Sequence, residues 1–106
     1  MIQDLSPEEL KAQWDAGAQP QVLDVREAWE LEISSLPGVR HIPMNEVPER
    51  LGELETGRPL VVMCRSGARS LRVAQYLEQR GFAHVSNLSG GILAWGERID
   101  PSLRPY

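Results

Sequence analysis

The stretch Leu60-Val61-Val62-Met63-Cys64-Arg65-Ser66-Gly67-Ala68-Arg69-Ser70 decides the fold. Its first four residues form a short apolar run rich in β-branched valine. A half-buried strand would alternate apolar with polar residues; an unbroken run of this length predicts a strand covered on both faces, near the centre of a sheet. Cys64 ends the run, and Arg65 to Ala68 make a polar loop. From about Arg69 to Arg80 the residues Val73, Ala74 and Leu77 share one helical face, and Gly81 stands just past the end. A strand, a loop and a helix in that order are the start of a parallel crossover.

Upstream the pattern repeats. Gln21 to Val25 reads as a buried strand with Asp24 near its C-terminal end, and Glu27 to Ile33 as a short helix. Pro37-Gly38 is a turn, Val39 to Pro43 is extended, and Asn45 is placed to cap a helix running to about Leu54. Thr56 to Pro59 is a loop. The strongest helix start is Ser6-Pro7-Glu8-Glu9, where Ser6 caps, Pro7 suits the first helical position and Glu9 completes a capping box; Gly17 ends that helix. Downstream, Ala83 to Leu88 is another strand, Gly90-Gly91 breaks the chain, and Ile92, Leu93 and Trp95 lie on a last short helix. The tail, about 100–106, carries Pro101 and Pro105 and is expected to be irregular. The alternation implies α/β architecture with right-handed crossovers. Ligands of such open sheets bind beyond the C-terminal ends of the strands, where Cys64 stands.

The 106 residues suit one domain, 1–106. Hydrophobic residues make up 42% and charged residues 25%, the balance of an ordinary globular chain, and the net charge of −4 argues against a nucleic-acid partner. No segment approaches the roughly 20 apolar residues that span a bilayer. Met1-Ile2-Gln3-Asp4 has neither the basic start nor the apolar run of a leader, which makes the cytoplasm the expected location. One cysteine forms no internal disulfide. One cysteine and two histidines without CxxC or HxxxH spacing argue against a structural zinc site, and no nucleotide-binding glycine motif is present.

A lone cysteine at a strand end is ordinarily a small buried hydrophobe. The flanks of Cys64 argue otherwise. A thiol titrating at about 8.5 is mostly protonated at neutral pH unless its surroundings favour the thiolate. Here Arg65 and Arg69 bring positive charge, Gly67 lets the loop's N–H groups turn toward the sulfur, and the next helix points its positive end at the loop. The same cradle suits an oxyanion.

Three segments together resemble the single-domain rhodanese family. Leu23-Asp24-Val25-Arg26-Glu27 is similar to its DVR motif, Cys64-Arg65-Ser66-Gly67-Ala68-Arg69-Ser70 to its CRSGxRS loop, and Asn87 to Trp95 to its closing Gly-Gly and Trp motif. The resemblance covers nearly the whole chain. It implies a rhodanese-like open sheet of about five parallel strands with helices on both faces. It further implies sulfur transfer by Cys64 as catalytic nucleophile, from thiosulfate or a persulfide donor to cyanide or a thiol, with a protein donor or acceptor as a further partner and with no cofactor or metal. Arg65, Ser66, Gly67, Ala68 and Arg69 would bind substrate, and Ser70, Asp24 and Arg26 would support the site.

The loop from Cys64 to Arg69 has six residues, as in sulfur-transferring relatives; related phosphatases and arsenate reductases have one more. The loop length argues against phosphatase or arsenate reductase chemistry, which stands as an alternative beside a non-catalytic binding module. Ser34-Ser35 stands where many family members have Gly-His. Trp14 and Trp95 read as core, Trp29 as pocket rim, His41 and His84 as packing or surface residues, Arg72 as a solvated helix position, and Glu46, Glu49, Glu53 and Glu55 as a solvated face.

Overall fold

Leu60–Met63 is the middle strand of a five-stranded sheet, and all four of its side chains are buried. A computed structural model describes residues 2–106; Met1, part of the stretch read as lacking a leader, lies outside them. The strands are β1 (Gln3–Leu5), β2 (Gln21–Asp24), β3 (Arg40–His41), β4 (Leu60–Met63) and β5 (Val85–Leu88). The α-helices are α1 (Pro7–Asp15), α2 (Ala28–Ile33), α3 (Ala68–Gln79) and α4 (Gly91–Arg98), and a 3-10 segment covers Met44–Glu53. The strand order is β1-β5-β4-β2-β3, and every neighbouring pair is parallel.

Strand parity sorts the core. Leu60, Val62 and Cys64 point to one face, where Leu23 and Val25 of the β2 line join Val73, Ala74 and Leu77 of α3 and Val47 of the 3-10 segment. Val61 and Met63 point to the other, with Val22, Leu10 of α1, and Ile92 and Trp95 of α4. Each fully buried aliphatic side chain contributes roughly 1.5–3 kcal/mol, so β4 alone anchors both layers. Trp95 is buried; Trp14 is only partly buried and packs on it with ring centroids 5.2 Å apart.

The local signals explain the element ends. Ser6 Oγ accepts from the Glu9 N–H at 3.1 Å, and the Ser6 N–H donates to Glu9 Oε1 at 2.9 Å, a complete capping box. One expectation is corrected and one strand was not foreseen. Asn45 does not cap an α-helix: the segment begins at Met44 behind Pro43, has no side-chain cap and runs as 3-10 turns. Pro48 lies inside it, where it has no N–H to donate and its ring crowds the preceding turn, and Arg50 leaves helical geometry at φ −120°, ψ 21°. The unforeseen strand is β1, which no periodicity announced. Gln3 to Leu5 joins the sheet edge through β5 with two of its three side chains exposed, so it carries no apolar alternation.

α4 is docked behind the Cys64 loop. The Ile92 N–H donates to the Cys64 carbonyl at 3.0 Å and the Leu93 N–H to the Arg65 carbonyl at 3.2 Å. Gly91 permits this approach: a β-carbon on it would stand 2.4 Å from the Arg65 carbonyl oxygen and 2.5 Å from that of Cys64, and its φ is +59°. Both obstacles are backbone, which has little freedom to move. Gly91→Ala is expected to destabilise the fold by about 2–4 kcal/mol in urea denaturation, from overpacking plus the left-handed backbone penalty. Gly52→Ala, at an exposed glycine with open space around it, should stay within about 0.5 kcal/mol.

Candidate active site

The parity that places Leu60 and Val62 under α3 also aims Cys64 at the N-terminus of that helix. Cys64 is 1% exposed. Its Sγ accepts from the Gly67 N–H at 3.1 Å, the Ser70 N–H at 3.4 Å and the Ser70 hydroxyl at 3.3 Å. Gly67 is the N-cap of α3 with φ +108°. A β-carbon there would meet nothing closer than 3.5 Å, so the turn demands glycine by its backbone angle and not by lack of room. Burial pushes the Cys64 thiol up, but hydrogen bonds from the Ser70 hydroxyl and from the N–H groups of Ser70, Gly67 and Ser66 outweigh it and hold the thiol below its ordinary value.

Ser70 is itself held. Its hydroxyl lies 2.5 Å from Asn87 Oδ1, and Asn87 Nδ2 donates to the Gly67 carbonyl at 3.1 Å. The hydroxyl has one hydrogen and two acceptors. Beside a protonated thiol that hydrogen serves Asn87; beside a thiolate it is drawn to the sulfur. Asn87 thus ties the end of β5 to both the loop and the sulfur's hydroxyl partner.

Neither loop arginine is free. Arg69 makes a two-pronged pair with Glu30, both contacts at 2.8 Å, and Glu30 is 3% exposed. The Arg69 guanidinium drives the Glu30 carboxyl down to about 2 against the opposing effect of burial. The Arg65 guanidinium donates to the main-chain oxygen of Tyr106 and lies over its ring, 5.1 Å from the centroid. Ser66 and Ala68 are exposed, and Arg72 is exposed one turn along α3.

Asp24 and Arg26 are both fully buried and paired at 2.7 Å. Arg26 also donates to the carbonyls of Glu30 and Ser34 and to the Tyr106 hydroxyl. It is therefore engaged with protein on every side and sits beneath the loops rather than at an opening. His41 Nε2 lies 2.6 Å from the Arg26 carbonyl; His84 is exposed. Trp29 is 59% exposed, with its ring edge-on to Tyr106 at 6.2 Å. Glu46, Glu53 and Glu55 are exposed and paired with Arg50, Arg40 or Arg58. Among the described residues no group of acidic, histidine or cysteine side chains could hold a metal ion, and no helix is long and apolar enough to cross a membrane. A cleft of about 810 Å³ is lined by Trp14, Gln21, Arg58 and neighbours and does not include Cys64.

Glu30, Asn87 and Tyr106 were not picked out by sequence reasoning. Asn87 left a trace, as a polar residue interrupting a strand at the edge where ligands bind. Glu30 showed only as a carboxylate in a short helix, and Tyr106 left no trace in the tail.

A parallel open sheet with a buried cysteine at the C-terminal edge of its middle strand, cradled by the amides of a helix start, defines a class of small α/β domains. Within that class the chain belongs to the rhodanese-like family: the Rhodanese-like domain matches residues 6–98. A protein named sulfurtransferase from Allochromatium vinosum is 33% identical, over 99% of this chain and 98% of that one. The crystal structure of a rhodanese-like domain protein from Staphylococcus aureus superposes with a TM-score of 0.87 at 30% identity, covering 99% of each chain. The chain also aligns over 99% of its length, at 35% identity, with the chloroplastic Rhodanese-like/PpiC domain-containing protein 12 of Arabidopsis thaliana, of which it spans 38%. These likenesses support rhodanese-type sulfur transfer in general terms.

Two outcomes follow from this geometry. Ser70→Ala removes a hydrogen bond to a charged sulfur, a type worth roughly 1.5–3 kcal/mol. The pH profile of Cys64 alkylation should move up by about one pH unit or more, lowering the rate at pH 7 while the high-pH plateau is kept. Glu30 is held at about 2 against its usual 4.5. A lowered carboxylate stabilises the fold above its unfolded value and loses that contribution as pH falls through the folded one. Acid titration of stability should therefore show a loss between about pH 4.5 and 2 that is smaller in Glu30→Gln.

Proposed function

We propose that the protein is a sulfurtransferase that carries sulfane sulfur as a persulfide on Cys64, taking it from thiosulfate or a persulfide donor and passing it to cyanide or a thiol, borne by a small molecule or a protein. The observation that carries this reading is the convergence of the Gly67 and Ser70 N–H groups and the Ser70 hydroxyl on one sulfur atom.

In the first step the Cys64 thiolate attacks the outer sulfur of thiosulfate. A new S–S bond forms, the S–S bond to the sulfonyl group breaks, and its electron pair leaves with sulfite. The persulfide's negative charge then lies on the outer sulfur, within the field of the α3 N-terminus. In the second step cyanide or a thiolate attacks that outer sulfur, and Cys64 departs as thiolate. The sulfur moves as a neutral atom, so no outside oxidant or reductant is needed. The leaving group of the second step is the group whose charge the loop favours, and the same cradle therefore serves both steps. Cys64 is the only cysteine, so the sulfur leaves to an outside acceptor.

In this reading the loop acts on substrate through its backbone. The N–H groups of Ser66, Gly67 and Ser70 face the sulfur, Ala68 opens α3, and Arg69 shapes the loop through Glu30. Asp24 and Arg26 support it from below. Incubation with thiosulfate should leave the protein heavier by one sulfur atom in intact-mass analysis, and Cys64→Ser should abolish the gain. A wild-type mass that never changes with any sulfane-sulfur donor would overturn the proposal.

A further inference from the structure

In the register of β5 against β4, Val85 pairs with Leu60 and Asn87 with Val62, so both β5 residues lie on the face that carries Cys64. Val85 belongs to the apolar layer under α3, and an apolar residue at 87 would extend that layer. Asparagine stands there instead, 5% exposed. A buried carboxamide is costly unless its polar atoms find partners, and both ends of this one do.

The loop sets its orientation. The Gly67 carbonyl can only accept, so the Asn87 amide nitrogen faces it, at 3.1 Å. Oδ1 is thereby turned to Ser70 Oγ, at 2.5 Å, and it too can only accept. Ser70 Oγ also lies 3.3 Å from Cys64 Sγ. One hydroxyl hydrogen therefore serves two acceptors whenever the sulfur is charged. Giving it to the sulfur strands a buried amide oxygen. Giving it to the amide leaves the sulfur to the N–H groups of the loop and helix start.

We propose that Asn87 is a positioning residue for Cys64 that works through Ser70: it holds the hydroxyl hydrogen while Sγ is uncharged and yields it when Sγ is a thiolate. This rests on the reading of Cys64 as the nucleophile. The free thiolate draws the hydrogen to itself. Once the persulfide forms, the charge lies on the outer sulfur, Sγ is a neutral bonded atom, and the hydrogen turns back to Asn87. When the acceptor takes the outer sulfur, Sγ departs as thiolate and the hydroxyl swings to it again. The hydrogen stays on the Ser70 oxygen throughout; only its direction changes. Asn87 thus opposes the thiolate to a set degree. That has a use, because the nucleophilicity of a thiolate falls as its pKa falls.

The test is the pH profile of Cys64 alkylation by iodoacetamide in the full chain, for Asn87→Leu and Asn87→Asp, each with Ser70 present and in a Ser70→Ala background, with folding checked by urea denaturation. Asn87→Leu removes the competing acceptor. With Ser70 present it should lower the midpoint by about half to one pH unit, roughly three- to tenfold more thiolate below the midpoint. With alanine at 70 it should leave the midpoint where Ser70→Ala puts it. A role confined to scaffolding gives the opposite sign, since losing the Gly67 contact loosens the loop amides and raises the midpoint. Asn87→Asp, close in shape, offers Ser70 a charged acceptor and should raise the midpoint, and by less in the Ser70→Ala background, where only direct repulsion remains. If Asn87→Leu does not fold, the Asp comparison decides alone. An unchanged or raised midpoint in folded Asn87→Leu, or a shift of the same size with and without Ser70 for either variant, would overturn the role of Asn87. Alkylation needs no sulfur transfer. A protein that shows these shifts but takes up no sulfur from any donor would sink the proposed function and leave the role of Asn87 standing; sulfur uptake without a Ser70-dependent shift would do the reverse.

Discussion

A guanidinium with no access to water must find a protein acceptor for each of its five N–H groups, and Arg26 does. Its Nε hydrogen is shared by the two Asp24 oxygens, one Nη group reaches Asp24 and the Ser34 carbonyl, and the other reaches the Glu30 carbonyl and the Tyr106 hydroxyl. Asp24 also receives the Arg26 N–H, and the Arg26 carbonyl meets His41. Through its side chain and main chain, Arg26 therefore ties together the end of β2, the middle and C-terminal end of α2, β3 and the tail. Removing either partner of a buried pair costs roughly 3–5 kcal/mol because the other charge is stranded.

The influence reaches the sulfur through two routes. Glu30, at the third position of α2, is fixed from below by the Arg26 contacts and grips Arg69, which lies on the first turn of α3. Holding Arg69 holds the helix start whose amides face Cys64. The second route runs through β5: Asn87 binds the Gly67 carbonyl and the Ser70 hydroxyl. The arginines flanking the cysteine bond to Glu30 and Tyr106, while the hydrogen bonds to the sulfur come from the backbone and one hydroxyl.

What could be read from sequence was whatever was local or rhythmic. The capping box at Ser6, the apolar run of β4, the turn at Gly67 and the close Gly90-Gly91 pair all carry their reason within a few residues, and the loop that holds Cys64 is one of them. The contacts that orient that loop are different in kind. Glu30 and Arg69 are 39 residues apart, Arg26 and Tyr106 80. Charged and polar residues of this sort look the same on a solvated face as in a network, and only the folded topology chooses between the two. Asp24 and Arg26 were marked by the DVR-like stretch that holds them; Tyr106, in an aperiodic tail, was not. The 3-10 segment misled for a local reason, since the cap at Asn45 was weighed and the proline at Pro48 was not.

The alternation of side chains along β4 has an evolutionary consequence. Leu60, Val62 and Cys64 share a face because each is two residues from the next, so the distance from strand to nucleophile is a matter of counting. An insertion or deletion of one residue between Leu60 and Cys64 would turn the thiol toward α1 and α4, away from every amide that serves it, while leaving an equally apolar strand. The interval between the strand and the cysteine therefore tolerates a change of length only in even steps.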